Sequence, residues 1–141
     1  MPKPNSLDSL LPAGEPHASF HDAIISVVRV DYVARQFLAQ AEICVGDPNA
    51  SDPLARERRR KGELVVDGLK IWVLEAPDPI STDTGDGLWI TTVGVLSDSP
   101  TESGKALAKT LAPNDVGWFL FINNLNAFGY VAGSRAAFHW L

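Results

Sequence analysis

Between residues 36 and 45, Phe37, Ala39, Ala41, Ile43 and Val45 take every second position, and Gln36, Gln40 and Glu42 fall between them. Successive side chains of a strand point to opposite faces, so this period of two calls for a sheet with one face buried. The run before it, FHDAIISVVRVDY at 20–32, is rich in β-branched residues, and a short polar break near Ala34 and Arg35 separates the two. Together they predict a hairpin. In the first arm Ile24, Val28, Val30 and Tyr32 share a face while Ile25 and Val27 lie on the other, as in a strand covered on both sides near its start.

The same signals recur downstream. ELVVDGLKIWVLEA (63–76) reads as strand, with Asp67-Gly68 marking a tight turn or bulge, and GLWITTVGVLS (87–97) as another; APDPISTDTGDG between them is loop by composition. VGWFLFINN, LNAFGYVAG and RAAFHWL close the chain as strands, with Asn123, Asn124 and Asn126 at a turn. One short helix is expected near 100–111, capped by Ser99, with Pro100 in its first turn, Glu102 completing a capping box and Pro113 beyond its end. The fold class is therefore mainly β, an antiparallel sandwich or strongly curved sheet of about six to eight strands with one short helix. Residues 1–18, with prolines at 2, 4, 12 and 16, read as a tail whose Leu7, Leu10 and Leu11 can rest on the body, and 19–141 as a single domain.

At 141 residues, 45% hydrophobic and 21% charged, the chain is long and apolar enough for a folded domain with its own core. A formal charge of −5 opposes attraction to nucleic acid or anionic membranes. No window approaches the roughly 18 apolar residues of a membrane span. The start, MPKPNSLDSLLPAGEP, lacks the pattern of a secretory signal, and the single cysteine, Cys44, has no internal partner. A reducing cytoplasm is the expected compartment.

His21 and Asp22 stand side by side at the start of the first strand. Alternation would send them to opposite faces, which suits anchoring of the strand better than joint catalysis. If the last strand paired with the first, His139 would approach them, making His21, Asp22 and His139 a candidate ligand or structural polar site. A zinc site needs at least three placed ligands with motif spacing, and neither that spacing nor a nucleotide loop or nucleophile elbow is present. No metal or cofactor is expected.

The connection 46–62 ends in a basic run in which Arg58, Arg59, Arg60 and Lys61 form a candidate patch for an acidic partner, or else a solvated loop. Aromatic area concentrates in the C-terminal strands. Trp118, Phe119, Phe121 and Tyr130, with Asn123, Asn124 and Asn126, form a candidate interface, or else the core of a two-layer fold.

FHDAIISVVRVDY at 20–32 and WFLFINNLNAFGYVAG at 118–133, together about a fifth of the chain, resemble a loose group of small bacterial β-rich proteins. Those proteins open with a Phe-His-Asp-Ala type strand and close with an aromatic strand, an Asn-containing turn and a further strand. Some are immunity proteins that neutralise toxins. The resemblance implies a binding role and no catalytic residues. The expected function is thus a non-catalytic interaction protein with a protein partner or a second copy of itself; the alternative is a small-ligand or hydrolytic domain built around His21, Asp22 and His139.

Overall fold

The alternating stretch becomes one arm of the expected hairpin: β1 (Ser19–Asp31) pairs with β2 (Gln36–Cys44), and the burial of β2 follows its period of two. The structure, a computed structural model, describes residues 6–77 and 85–141. Among these, β3 (Arg59–Asp67), β4 (Ile71–Leu74), β5 (Leu88–Val95), β6 (Val116–Ile122), β7 (Ala127–Gly133) and β8 (Arg135–Trp140) complete one antiparallel sheet in the order β4-β7-β6-β5-β1-β2-β3-β8. The fold is mainly β, as expected. Of the loop predicted at 76–87, residues 78–84 lie outside the described residues.

The sheet is strongly curved, for a reason visible at one corner. β3 continues into β4, and β7 into β8, so two long segments run side by side. Asp67 stands opposite Arg135 and Ile71 opposite Ala132, which shifts the ladder by one residue where the segments bend. Gly68 takes a positive φ of 60° there, a conformation that glycine adopts without steric cost. The Ser134 amide donates to the Asp67 and Gly68 carbonyls at 2.9 and 3.2 Å. The same two segments therefore occupy both ends of the strand order, and the sheet curls almost into a barrel. It stays open along β4 and β8, each with a single neighbour.

Inside the curl lie Phe37, Ala39, Ala41, Ile43, Leu64, Val66, Trp118, Leu120, Val131 and Phe138. A second, smaller core sits outside the sheet, where Ile71, Leu96, Phe119, Tyr130 and Ala132 are covered by Leu107, Ala108 and Leu111. This covering comes from α2 (Glu102–Ala108) and the turn after it. The helix starts later than expected: Thr101 caps it by accepting from the Gly104 amide, while Ser99 is buried and hydrogen-bonds Thr101 Oγ1 at 3.0 Å. A one-turn helix, α1 (Pro53–Arg56), capped by Asp52, lies within the 46–62 connection.

One further expectation changes and another gains detail. The stretch from Arg59 to Lys61 belongs to β3 rather than to a loop, because its backbone pairs with Glu42, Ile43 and Cys44 of β2. The segment before β1 is docked: a 3-10 turn at Leu7–Leu10 packs against β1, β5 and β8, and Leu7 is 1% exposed within the main core. Asp8 holds it there, its carboxylate accepting from the Phe20 amide at 2.8 Å and the Ser19 hydroxyl at 3.1 Å. No helix among the described residues is long and apolar enough to cross a membrane.

Candidate functional site

His21 and Asp22 sit at an irregularity in the seam between β1 and β5. Only Ile24 with Trp89 and Ile25 with Leu88 pair across that seam. Asp22 has a φ of 66°, a left-handed conformation that aspartate tolerates better than most residues. This bulge cancels the alternation expected from sequence and brings the His21 Nε2 and Asp22 Oδ2 atoms to 3.6 Å.

Side chains complete the seam where the backbone ladder ends. His21 Nδ1 lies 2.6 Å from the Thr91 carbonyl; since a carbonyl only accepts, Nδ1 is the donor. The Trp89 indole donates to Asp22 Oδ1 at 2.9 Å, and Arg59 donates to the Asp22 carbonyl at 2.8 Å. The asparagine turn locks the other side of Trp89: Asn124 Oδ1 accepts from the Trp89 amide, and the Asn123 amide donates to the Trp89 carbonyl. The structure thus gathers Asp22, Asn123 and Asn124 around Trp89, a residue with no local signal in sequence, with His21 fastened to Thr91 two residues on and Arg59 to the Asp22 carbonyl.

His139 does not join them. It lies on β8, separated from β1 by β3 and β2, with its Nε2 atom 3.4 Å from Glu63 of the neighbouring strand. No three potential metal ligands stand together among the described residues. The proposed three-residue site is corrected to a pair that fastens a strand.

Replacing Asp22 with alanine should lower stability by about 1–3 kcal/mol, since it removes the indole's acceptor and leaves a β-carbon in a left-handed conformation without aspartate's tolerance for it. His21→Ala should cost about 1 kcal/mol, one hydrogen bond, against almost nothing for the exposed Lys109→Ala. Equal melting temperatures for all three variants and the parent would contradict this account.

The basic run is occupied largely within the chain. Arg58 and Arg60 reach the Glu15 carboxylate at 2.8 and 3.5 Å, Arg60 also lies 4.7 Å above the Trp140 ring, and Arg59 holds the Asp22 carbonyl. Lys61 is exposed on the same strand. The run ties the N-terminal segment to the sheet, and the Arg58 and Arg60 side chains remain exposed beyond those contacts.

The aromatic strands divide by face. Trp118 is sealed inside the curl and Tyr130 is fully buried on the outer face, so these two offer no contact surface, while Phe119 beside Tyr130 is 7% exposed. Phe121 and Phe128, opposite each other on β6 and β7, remain half-exposed on the same outer face beyond the helix. With Phe119, Thr92, Asp98 and Pro100 they line a slot of about 420 Å³. The Phe128 ring lies 5.0 Å from Phe121 and 6.2 Å from Phe119, tilted 57° and 56° to them. A larger cleft of about 510 Å³, between Trp72, Leu74 and the β1 residues Ile25–Val28, is walled by Gly85–Gly87, next to the chain outside the described residues.

Below the slot, the Tyr130 hydroxyl hydrogen-bonds Thr101 Oγ1 at 2.6 Å and donates to Glu75 Oε2 at 3.0 Å, while Glu75 Oε1 accepts from the Phe128 amide. Burial raises the phenol above its ordinary value of 10.0; the Thr101 bond opposes the rise and the Glu75 carboxylate adds to it. A raised folded-state value means that this contribution to stability is intact below pH 10 and falls as pH climbs through the folded value. Urea midpoints should therefore decline above pH 10 in the parent and decline less in Tyr130→Phe. Parallel profiles would count against the buried phenol.

The pair at the seam, the docked N-terminal segment and the half-open aromatic face are therefore the features from which function must be argued. Comparisons with protein-family models, with curated proteins and with solved structures find no match to this chain.

Proposed function

We propose that the chain is a non-catalytic binding domain whose contact surface is the uncovered aromatic half of the outer sheet face. The observation that carries this reading is the contrast within one ladder: Tyr130 is fully buried and Phe119 nearly so, while the adjacent Phe121–Phe128 pair stays half-exposed over a slot of about 420 Å³. Pockets of a few hundred Å³ with apolar walls and few polar groups suit small ligands or the anchoring group of a partner. The His21–Asp22 pair is assigned to the fold. The resemblance of the opening and closing strands to small immunity-type proteins supports the same class of function. The net charge of −5 and the internal use of the arginines speak against nucleic acid, and the single Cys44 fits a reducing cytoplasm.

Titration with a neutral aromatic probe, benzyl alcohol, followed by amide NMR tests this reading. Shifts should gather at Thr92, Asp98, Phe119, Phe121 and Phe128, and vanish in Phe121→Ser. Shifts centred on Trp72 and Leu88, or none at all, would overturn it.

A further inference from the structure

The slot's chemistry is more specific than its apolar floor. Three phenylalanines and Pro100 line the slot, and among the described residues Asp98 is the only charged group on the lining. Asp98 ends the 3-10 turn Leu96–Asp98 and is exposed, with no ion pair or hydrogen bond to any described residue. Among the described residues, no lysine, arginine or histidine lines the slot.

Aromatic faces carry partial negative charge and attract cations within about 6 Å of the ring centre. A carboxylate beside them adds to that field, and an anion would meet repulsion from both. A bare inorganic cation or a simple ammonium gains little, because it would shed a strong hydration shell against hydrocarbon. An ammonium whose hydrogens are replaced by alkyl groups is weakly hydrated, presents methyl groups to the rings and keeps its charge for Asp98. The slot's volume suits a small molecule.

We infer that the slot formed by Phe119, Phe121, Phe128, Thr92, Pro100 and Asp98 takes a small organic cation whose charge sits on an alkylated ammonium. This inference rests on the proposed binding role of the same face. Phe128 and Phe121 receive the cation's alkyl groups, Asp98 balances its charge, and the exposed Thr92 on the lining offers a hydroxyl to a polar group on the ligand.

The test compares two probes of one shape, choline and its neutral carbon analogue 3,3-dimethylbutan-1-ol, by amide NMR titration of the full chain. Choline should shift Thr92, Asp98, Phe119, Phe121 and Phe128 saturably and bind about tenfold more tightly than the alcohol. Asp98→Asn should weaken choline by about fivefold and leave the alcohol unchanged. Phe128→Leu should weaken choline more than the alcohol, while unchanged spectra elsewhere in the variant show that the fold is intact. Equal affinity for the two probes would overturn the cation assignment and leave the slot as an apolar site. If choline produces no shifts there while benzyl alcohol does, the cation assignment fails alone; if both are silent, the binding reading falls with it. A peptide bearing trimethyllysine that binds more than about tenfold tighter than choline, with shifts spreading beyond the slot, would replace the small ligand with a macromolecular one.

Discussion

Leu7→Ala should lower the folding free energy by about 2–5 kcal/mol, the range for emptying a buried leucine site, although the residue lies in what composition alone marks as a proline-rich tail. Leu7 is 1% exposed and belongs to the main core. Its 3-10 turn closes one end of the curled sheet by touching β1, β5 and β8, where Phe20 and Phe138 meet edge to face at 5.6 Å. Small domains have about 5–15 kcal/mol of stability in all, so one methyl-rich group removed from this position is a large fraction. Asp8→Ala should add a further loss of about 1–3 kcal/mol by leaving the Phe20 amide without its acceptor. Urea unfolding measures both. A midpoint in Leu7→Ala equal to that of the parent would mean that the N-terminal segment is not part of the folded unit.

This segment also shows where sequence reasoning reaches its limit. The β1–β2 hairpin was legible because a strand with one buried face writes its period into the chain, and Asp67-Gly68 was legible because a bend needs a residue tolerant of positive φ. The docking of Leu7 was only half-legible: Leu7, Leu10 and Leu11 were visible as apolar groups, but their target is formed by strands remote in sequence. Arg59–Lys61 looked like loop because charge hides the pattern, although Gly62, Leu64 and Val66 continue with the period of two that a buried face requires. For the candidate site the loss was greater. Trp89 meets Asp22 across 67 positions, through a left-handed bulge that one aspartate among many gives no reason to expect. The slot needed the register of the β6–β7 hairpin to set Phe121 beside Phe128, and a helix end to decide which ring stayed uncovered. Asp98 and Thr92 carried no signal of their own, and Pro100 was legible only as part of a helix start.

The same register supplies the second large effect, expected in Trp118→Ala. Trp118 and Phe121 are three positions apart on one strand, so they face opposite sides of the sheet: Trp118 points into the curl at 1% exposure, and Phe121 points outward to the slot. Trp118→Ala should cost about 3–5 kcal/mol, as large a share of the stability as Leu7. Phe121→Ser, removing a half-exposed ring with Phe128 as its aromatic neighbour, should cost about 1–2 kcal/mol. The order should reverse for binding. Phe121→Ser should abolish probe shifts at the slot in a protein that is still folded, and Trp118→Ala, studied in the cold where it remains folded, should still bind. Loss of binding in Trp118→Ala therefore reports unfolding unless folded protein is shown to be present. If Trp118→Ala kept the parent's urea midpoint while Phe121→Ser unfolded, the two faces would be exchanged, and with them the placement of the core and the proposed contact surface.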